Sequence, residues 1–294
     1  MKTFQYYAPK SLQEALDTFK QAGSGGRILA GGTDLVVQMK ESATRFPYPG
    51  YLVSLRQIPE LKGISRTADG GLRIGAGMTM SAVSESREVR QRYPIVVDGS
   101  SIVGSLQTQN LATIGGNICN AAPSADVVPA LLCCEAKLRL VSPAGERTIP
   151  VEEFFTGPGQ TVLQPGEVLV DILLPPLPAK TGGVYKRQTP RKQMDIAVAG
   201  VATLVTLDGS GQRIERARIA LAAVAPTPIR APAAEEYLTG RDTSDETIAE
   251  AARLSMEAAR PISDVRGSAD FRKRLIQNMT ARMLREAIEK AKGA

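Results

Sequence analysis

The sequence predicts an α+β fold built from two or three packed subdomains. The chain has 294 residues, 43% of them hydrophobic, which is enough to bury more than one core. Strand-like and helix-like segments are mixed before residue 175, and after residue 183 two long extended segments precede two helical ones. Helices set beside strands in this way are typical of the α+β class.

The first forty residues predict helix, strand, turn and helix in that order. Ser11 and Glu14 match a capping box, so we expect a helix to begin there. The apolar run at 27–30 predicts a strand that ends in a Gly31-Gly32-Thr33 turn, and the residues from Asp34 to Lys40 predict a second helix.

Residues 47–175 predict further short elements, with Thr79 as a helix cap. The apolar patterns place strands at 51–55, 72–75, 136–142 and 167–175, and helices from Pro94 to Val103 and from Asp126 to Cys134.

A proline-rich stretch at 175–183, PPLPAKTGG, predicts a boundary. Beyond it we expect extended segments at 197–208 and 216–229, then helices at 244–259 and 268–291. Apolar residues lie along one face of the last helix, and we interpret them as core rather than as a membrane or partner surface. They are Phe271, Leu275, Met279, Leu284 and Ile288.

Composition excludes several kinds of chemistry. The chain has no histidine and only three cysteines, so histidine catalysis, histidine–metal sites and four-cysteine metal sites are excluded. We expect Cys133 and Cys134 to lie on a buried helix face. Redox chemistry in such a chain would have to come from an organic cofactor.

Charge and hydropathy limit the partners and the location. The net charge of +6 is modest and its basic residues are scattered, which does not favour nucleic-acid binding. No apolar run is long enough to span a membrane, and the first ten residues lack the apolar core of a signal peptide. We therefore expect a cytoplasmic protein.

Two glycine pairs, Gly31-Gly32 and Gly115-Gly116, each follow an apolar run. Adjacent glycines at a strand end allow positive φ and can turn several amides toward one anion. A single Gly-Gly pair is equally typical of a tight turn. Two pairs in one chain favour a double clamp on a ligand with two phosphates. The segment at 75–80 lacks the third glycine of a dinucleotide fingerprint, and no Walker loop occurs.

Short polar side chains surround the second pair. Thr113, Asn117, Asn120 and Ser124 are suited to phosphate and ribityl oxygens, and Asp126 can accept hydrogen bonds from hydroxyls.

The segments AGGTDL and TIGGNICNAAPSAD, about eighty residues apart, resemble the flavoprotein subunit of the molybdenum hydroxylases, which include xanthine and carbon monoxide dehydrogenases. The resemblance runs over nearly the whole chain, through SLRQIPELKGI, LRIGAGMT and KRQTPRKQMDIA. The segments FFTGPG, AAVAPTPIR and RGSADFRKRLI resemble above all the FAD-binding subunit of bacterial xanthine dehydrogenases.

The resemblance implies a two-subdomain FAD-binding domain of the vanillyl-alcohol oxidase type, followed by an α+β C-terminal domain. The FAD-binding domain would span 1–176, with subdomains at about 1–56 and 57–176, and the C-terminal domain would span 183–294.

It also implies a set of FAD-binding residues. Residues 28–35 would wrap the pyrophosphate and flavin, the second loop would hold phosphate, ribityl and ribose oxygens, and Leu169 would pack on the flavin. Arg187 stands where the family usually has lysine, and Gln109 where relatives usually have arginine, so a phosphate contact is expected to be lost at Gln109. The full set is Ile28, Leu29, Ala30, Gly31, Gly32, Thr33, Asp34, Leu35, Val103, Thr113, Ile114, Gly115, Gly116, Asn117, Asn120, Asp126, Leu169 and Arg187.

The function implied is electron transfer within a complex. FAD on this chain would take electrons from [2Fe–2S] clusters on a small partner, which receives them from a molybdenum cofactor on a large partner, and pass them to NAD or another acceptor. No catalytic side chain or metal ligand is expected on this chain, and no activity without the partners. Xanthine or another purine is the expected substrate of the complex.

Three other hypotheses about the function remain open. The chain could be the medium subunit of a carbon monoxide, nicotinate or aldehyde dehydrogenase. It could be a stand-alone FAD-dependent reductase, or a non-catalytic nucleotide-binding or scaffolding protein with a basic C-terminal helix. Relatives that act on 4-hydroxybenzoyl-CoA carry an additional cluster, and three cysteines argue against it here.

Overall fold

A small parallel sheet begins the chain in the computed structural model, which describes residues 2–41 and 47–293. Its strand order is β1-β3-β2, and two helices accompany it. The Ser11 side chain accepts a hydrogen bond from the Glu14 amide, which confirms the predicted helix start. The elements are β1 (Gln5–Tyr7), α1 (Leu12–Ala22), β2 (Gly26–Leu29), α2 (Leu35–Lys40) and β3 (Tyr51–Ser54).

An antiparallel sheet of order β4-β5-β10-β6-β7 forms the second unit, with six short helices and a two-stranded ribbon of β8 and β9. Thr79 caps α3 as predicted, because its side chain accepts from the Ala82 amide. The strands are β4 (Ile64–Arg66), β5 (Leu72–Gly75), β6 (Lys137–Ser142), β7 (Gly145–Pro150), β8 (Phe155–Gly157), β9 (Gln160–Thr161) and β10 (Val168–Leu174). The helices are α3 (Met80–Glu85), α4 (Arg87–Arg92), α5 (Pro94–Ser100), α6 (Leu106–Gln109), α7 (Ile114–Asn120) and α8 (Val128–Cys133).

Strand β10 belongs to two hydrophobic cores. Val168 and Val170 pack with the core of the first unit, whereas Leu169 and Ile172 pack with the core of the second. A register shift between Leu169 and Asp171 accompanies this change of neighbours. The two units are therefore joined by packing on both faces of one strand.

A third sheet, of order β11-β12-β13-β14, carries three helices. Its strands are β11 (Thr181–Gln188), β12 (Ala199–Leu207), β13 (Ile214–Ala222) and β14 (Ile229–Arg230). Its helices are α9 (Pro232–Leu238), α10 (Asp245–Ala258) and α11 (Ala269–Lys292). The glycine at 182 permits the close approach of α11 to β11, since a Cβ there would overlap the Ala287 carbonyl oxygen.

Several sequence predictions need correction. The helix predicted from Pro94 ends at Ser100, because turns follow and Gly104 has a φ of +57°. The helix predicted from Asp126 begins at Val128. The apolar run before Gly115 forms no strand.

The buried face of α11 also differs from the prediction. Phe271 is 48% exposed, whereas Arg272, Ile276 and Thr280 are buried in steps of four residues. This row leads to Leu284 and Ile288, which are buried as predicted, so Phe271 lies one position off the core-facing side. Leu275 and Met279 are partly buried against the core.

Candidate functional site

A cavity of ≈ 1260 Å³ is formed where the first and second units meet. Both glycine pairs line it, together with Arg187 of β11. This volume exceeds the roughly 300–1,000 Å³ typical of small-molecule pockets, and it suits a large ligand.

The first glycine pair supplies unused amides. The backbone N–H groups of Gly31, Gly32, Thr33 and Asp34 donate to no acceptor among the described residues. Gly32 has a φ of +79°, which other residues rarely adopt. A Cβ on Gly31 would overlap the carbonyl oxygen of Leu111, so glycine is required for this close approach. The loop therefore presents a row of free donors at the cavity wall.

The second glycine pair has a different conformation from the one predicted. Gly115 and Gly116 lie in the first turn of α7 and have no positive φ. The amides of Ile114 and Gly115 donate to Met78 and Ala76, and those of Gly116 and Asn117 donate to the Thr113 side chain and carbonyl. The expected amide cradle is absent from this pair, because all four amides already have partners in the protein. A Cβ on Gly115 would come within 2.7 Å of the Ala76 Cβ, so this pair serves close packing.

The side chains around α7 supply polar groups to the cavity. Thr113 Oγ1 accepts from the Gly116 amide at 3.0 Å, and its own proton remains available. Asn117 Oδ1 is buried, lies on a cavity-lining residue and has no hydrogen-bond partner. A buried acceptor without a partner is costly and indicates that a ligand donates to it. These groups fit a ligand with hydroxyls and phosphates, as FAD has.

Asp126 is the most perturbed carboxylate in the cavity. It is 6% exposed, its Oδ1 accepts from the Tyr185 hydroxyl at 3.0 Å, and its Oδ2 forms an ion pair with Arg187. Burial raises the pKa of Asp126 to about 6, although Arg187 and the Tyr185 hydrogen bond act in the opposite direction. Burial also raises the pKa of Asp34. Arg187 donates a further bond of 2.9 Å to the Ile102 carbonyl, so its guanidinium is fixed in place.

Most of the residues predicted to form the site come together here. The predicted members that line the cavity are Ile28, Ala30, Gly31, Gly32, Thr33, Asp34, Leu35, Val103, Thr113, Gly115, Gly116, Asn117, Asn120, Asp126, Leu169 and Arg187. Leu29 and Ile114 do not line it, and Ile114 is fully buried in the core of the second unit. Gln109 donates to the Ser101 carbonyl at 2.9 Å and is not among the lining residues.

Other lining residues were not predicted from the sequence. They include Gly23 to Gly26 between α1 and the start of β2, Arg56 and Lys62 after β3, Gln164 to Val168 at the start of β10, and Asp195 with Ile196 before β12. No motif marked them, because the fold brings together segments that are far apart in sequence.

The three cysteines are free thiols, of which Cys133 and Cys134 are buried and Cys119 is partly exposed. Cys119 lines the cavity, whereas Cys133 and Cys134 lie in the second core. Burial raises the pKa of Cys119 and Cys134 to about 12, so these thiols stay protonated at neutral pH. Within 2–41 and 47–293, no group of three or more metal-ligating side chains could hold a metal ion. Among the same residues no helix is both long and apolar enough to cross a bilayer.

Comparison with known families explains this arrangement. Residues 2–177 match the FAD binding domain in molybdopterin dehydrogenase, and residues 184–287 match the CO dehydrogenase flavoprotein C-terminal domain. Together the two matches span most of the chain.

Individual relatives match over nearly their full lengths. The carbon monoxide dehydrogenase medium chain of Hydrogenophaga pseudoflava is 35% identical, over 97% of this chain and 96% of the relative. The xanthine dehydrogenase FAD-binding subunit of Escherichia coli O157:H7 is 33% identical, over 98% and 97%. A solved structure of the Hydrogenophaga carbon monoxide dehydrogenase, which lacks the Mo-pyranopterin moiety, superimposes with a TM-score of 0.93 over 98% of each chain at 35% identity.

The chain is thus about as similar to a carbon monoxide dehydrogenase subunit as to a xanthine dehydrogenase subunit. The FAD-binding domain and the flavoprotein C-terminal domain occur in the order that the sequence resemblance implied. From the two family matches and these relatives, the chain belongs to the FAD-binding medium subunits of the molybdenum hydroxylases.

Proposed function

We propose that this chain is the electron-transfer subunit of a molybdenum hydroxylase, assembled with a small [2Fe–2S] subunit and a large molybdenum-cofactor subunit. The observation that carries the proposal is the cavity, which offers free amides at Gly31 to Asp34 and a buried unpartnered acceptor at Asn117. Bound FAD supplies the redox chemistry that no side chain of this chain provides.

The residues of the chain bind and orient the cofactor in this proposal. The first glycine loop donates its amides to the pyrophosphate, and the Thr113 hydroxyl donates to a neighbouring oxygen. Asn117 Oδ1 accepts from a ligand hydroxyl or amide. Leu169, 4% exposed, contributes an apolar wall, and Arg187 with Asp126 fixes the wall contributed by β11.

The substrate of the complex is proposed to be xanthine or a related purine, with NAD as one electron acceptor and with a cytoplasmic location. The full-length similarity to the E. coli xanthine dehydrogenase subunit supports this choice. Carbon monoxide is the second candidate, because the similarity to the Hydrogenophaga medium chain is of the same size.

Purification of the tagged chain from its own cells tests the proposal. We expect two co-purifying subunits, FAD, iron and molybdenum, and xanthine-dependent reduction of NAD or a dye by the complex but not by the isolated chain. Carbon monoxide oxidation in place of xanthine oxidation would select the second candidate. NAD(P)H-dependent activity of the isolated chain with its own substrate would contradict the subunit role, as would a chain that binds no FAD.

A further inference from the structure

We propose that Lys62 and Arg56 are the cationic residues that neutralise the diphosphate of the bound nucleotide, with Lys62 donating to it directly. The inference rests on the proposed binding of FAD and goes further by assigning the residues that balance its charge.

The fold places the two cations beside the two glycine pairs. Lys62 Nζ donates to the Gly77 carbonyl at 2.7 Å, and the neighbouring Ala76 carbonyl accepts from the Gly115 amide at 2.9 Å. The ammonium group is therefore held close to the second pair.

Arg56 is placed close to the first pair. It follows Leu55, whose amide donates to the Leu29 carbonyl at 2.9 Å, two residues before Gly31. Lys62 and Arg56 both line the cavity. The glycine pairs are themselves adjacent, because a Cβ on Gly116 would lie 3.9 Å from the Ala30 Cβ.

Neither cation is neutralised by the protein. Among the described residues, no carboxylate forms an ion pair with Lys62 or Arg56. The neighbouring Arg73, which donates to the Lys62 carbonyl, is instead paired with Asp171 at 2.6 Å. Burial and the positive charge of Arg56 both lower the pKa of Lys62. Two cations that line one cavity without a carboxylate partner favour an anionic ligand there.

The cavity has few other free hydrogen-bond donors for phosphate oxygens, and these two cations can supply more. A diphosphate beside both glycine pairs finds free amides only on the first loop, since those of the second pair are occupied. Gln109 does not help, because it donates to the Ser101 carbonyl and does not line the cavity. Lys62 has three N–H donors and uses one on Gly77, so two remain for phosphate oxygens.

Titration of the cofactor-free chain with three probes separates charge recognition from folding. FAD and ADP-ribose both contain the diphosphate, whereas riboflavin contains the flavin without phosphate. We expect Lys62→Gln to weaken the binding of FAD and of ADP-ribose by about tenfold to a hundredfold and to leave the affinity for riboflavin unchanged. Arg56→Gln should lower the affinity for FAD and ADP-ribose by a smaller factor, because this side chain is more exposed.

Two controls complete the design. Lys62→Arg keeps the charge and should recover most of the affinity for FAD and ADP-ribose. Lys10→Gln removes a lysine that does not line the cavity and should behave as the wild type. The FAD affinity of the wild type should fall with salt more steeply than that of Lys62→Gln, because a charge contact is screened.

The outcomes distinguish this inference from the proposed function. A wild-type chain that binds neither FAD nor riboflavin would overturn the proposed function. A wild type that binds FAD, with an unchanged affinity and salt dependence in Lys62→Gln, would overturn the charge assignment alone. Equal losses of FAD and riboflavin in Lys62→Gln would also overturn it, because they would reveal a structural role.

Discussion

Arg187 on β11 forms an ion pair with Asp126 in the loop before α8, and both side chains are only 8% exposed. The pair joins the third sheet to the wall of the cavity that we propose binds FAD. Tyr185, two residues earlier on the same strand, donates to the other oxygen of Asp126. The C-terminal sheet and the cavity are therefore connected through one buried carboxylate.

Removal of the arginine should destabilise the chain. In Arg187→Gln, Asp126 loses its buried countercharge, and the free energy of unfolding should fall by about 3–5 kcal/mol. Urea denaturation of the cofactor-free protein measures the change. Arg253→Gln removes a partly exposed arginine paired with Glu250 and Glu257 and should change stability little. Equal stability of the two variants would contradict a structural role for the buried pair.

Stability should depend on pH through Asp126. Its pKa is about 6 in the folded protein, above the ordinary aspartate value of 3.8, so the folded state binds the proton more tightly than the unfolded state. The contribution of Asp126 to the free energy of unfolding should therefore decrease as the pH rises from about 4 to about 6, by roughly 2–3 kcal/mol. Denaturation of the wild type and Asp126→Asn across this range isolates the effect, which should be missing in the variant. Parallel pH profiles would show that the carboxylate does not titrate in this range.

The close approach at the first glycine pair can be tested with a single methyl group. Gly31→Ala places a Cβ against the Leu111 carbonyl, so we expect a loss of stability of about 1–3 kcal/mol and little retained FAD. Gly50→Ala adds the same methyl group with nothing within 4 Å and no positive φ, which makes it a matched control. Absorbance of the purified proteins gives the FAD content. Full FAD content in Gly31→Ala would mean that the loop can move away from Leu111 without loss of the site.

Replacement of Asn117 should leave the stability of the cofactor-free protein intact or higher, while it lowers the affinity for FAD. Asn117→Ala removes a buried acceptor that has no partner, so the cofactor-free protein should be at least as stable as the wild type. The affinity for FAD should fall by about 1–3 kcal/mol, because the ligand loses the acceptor. Thermal unfolding and fluorescence titration measure the two effects. A large loss of stability without FAD would show that the side chain supports the fold instead.

Elements with local signals could be predicted from the sequence. The caps at Ser11 and Thr79 depend on a side chain and an amide three residues away, so the sequence contains both partners. The same holds for the first glycine loop, where the turn follows from Gly32 itself.

The second glycine pair could not be predicted in the same way. Gly115 is helical because Ala76, nearly forty residues earlier, accepts from its amide and packs against it. The two partners of Asp126 are Tyr185, 59 residues away, and Arg187, 61 residues away. Lys62 and Arg56 carry no motif, and they become candidate ligand residues only because the segment after β3 hydrogen-bonds to the end of β5, beside the cavity.

The dual packing of β10 has a consequence for handling the protein. One strand buries opposite faces in the two cores that flank the cavity, so neither wall depends on the nucleotide for its hydrophobic contacts. Removal of FAD should therefore leave a folded protein that can bind FAD again, with its first and second units still packed together. Such a protein can be reconstituted with flavin analogues of altered redox potential.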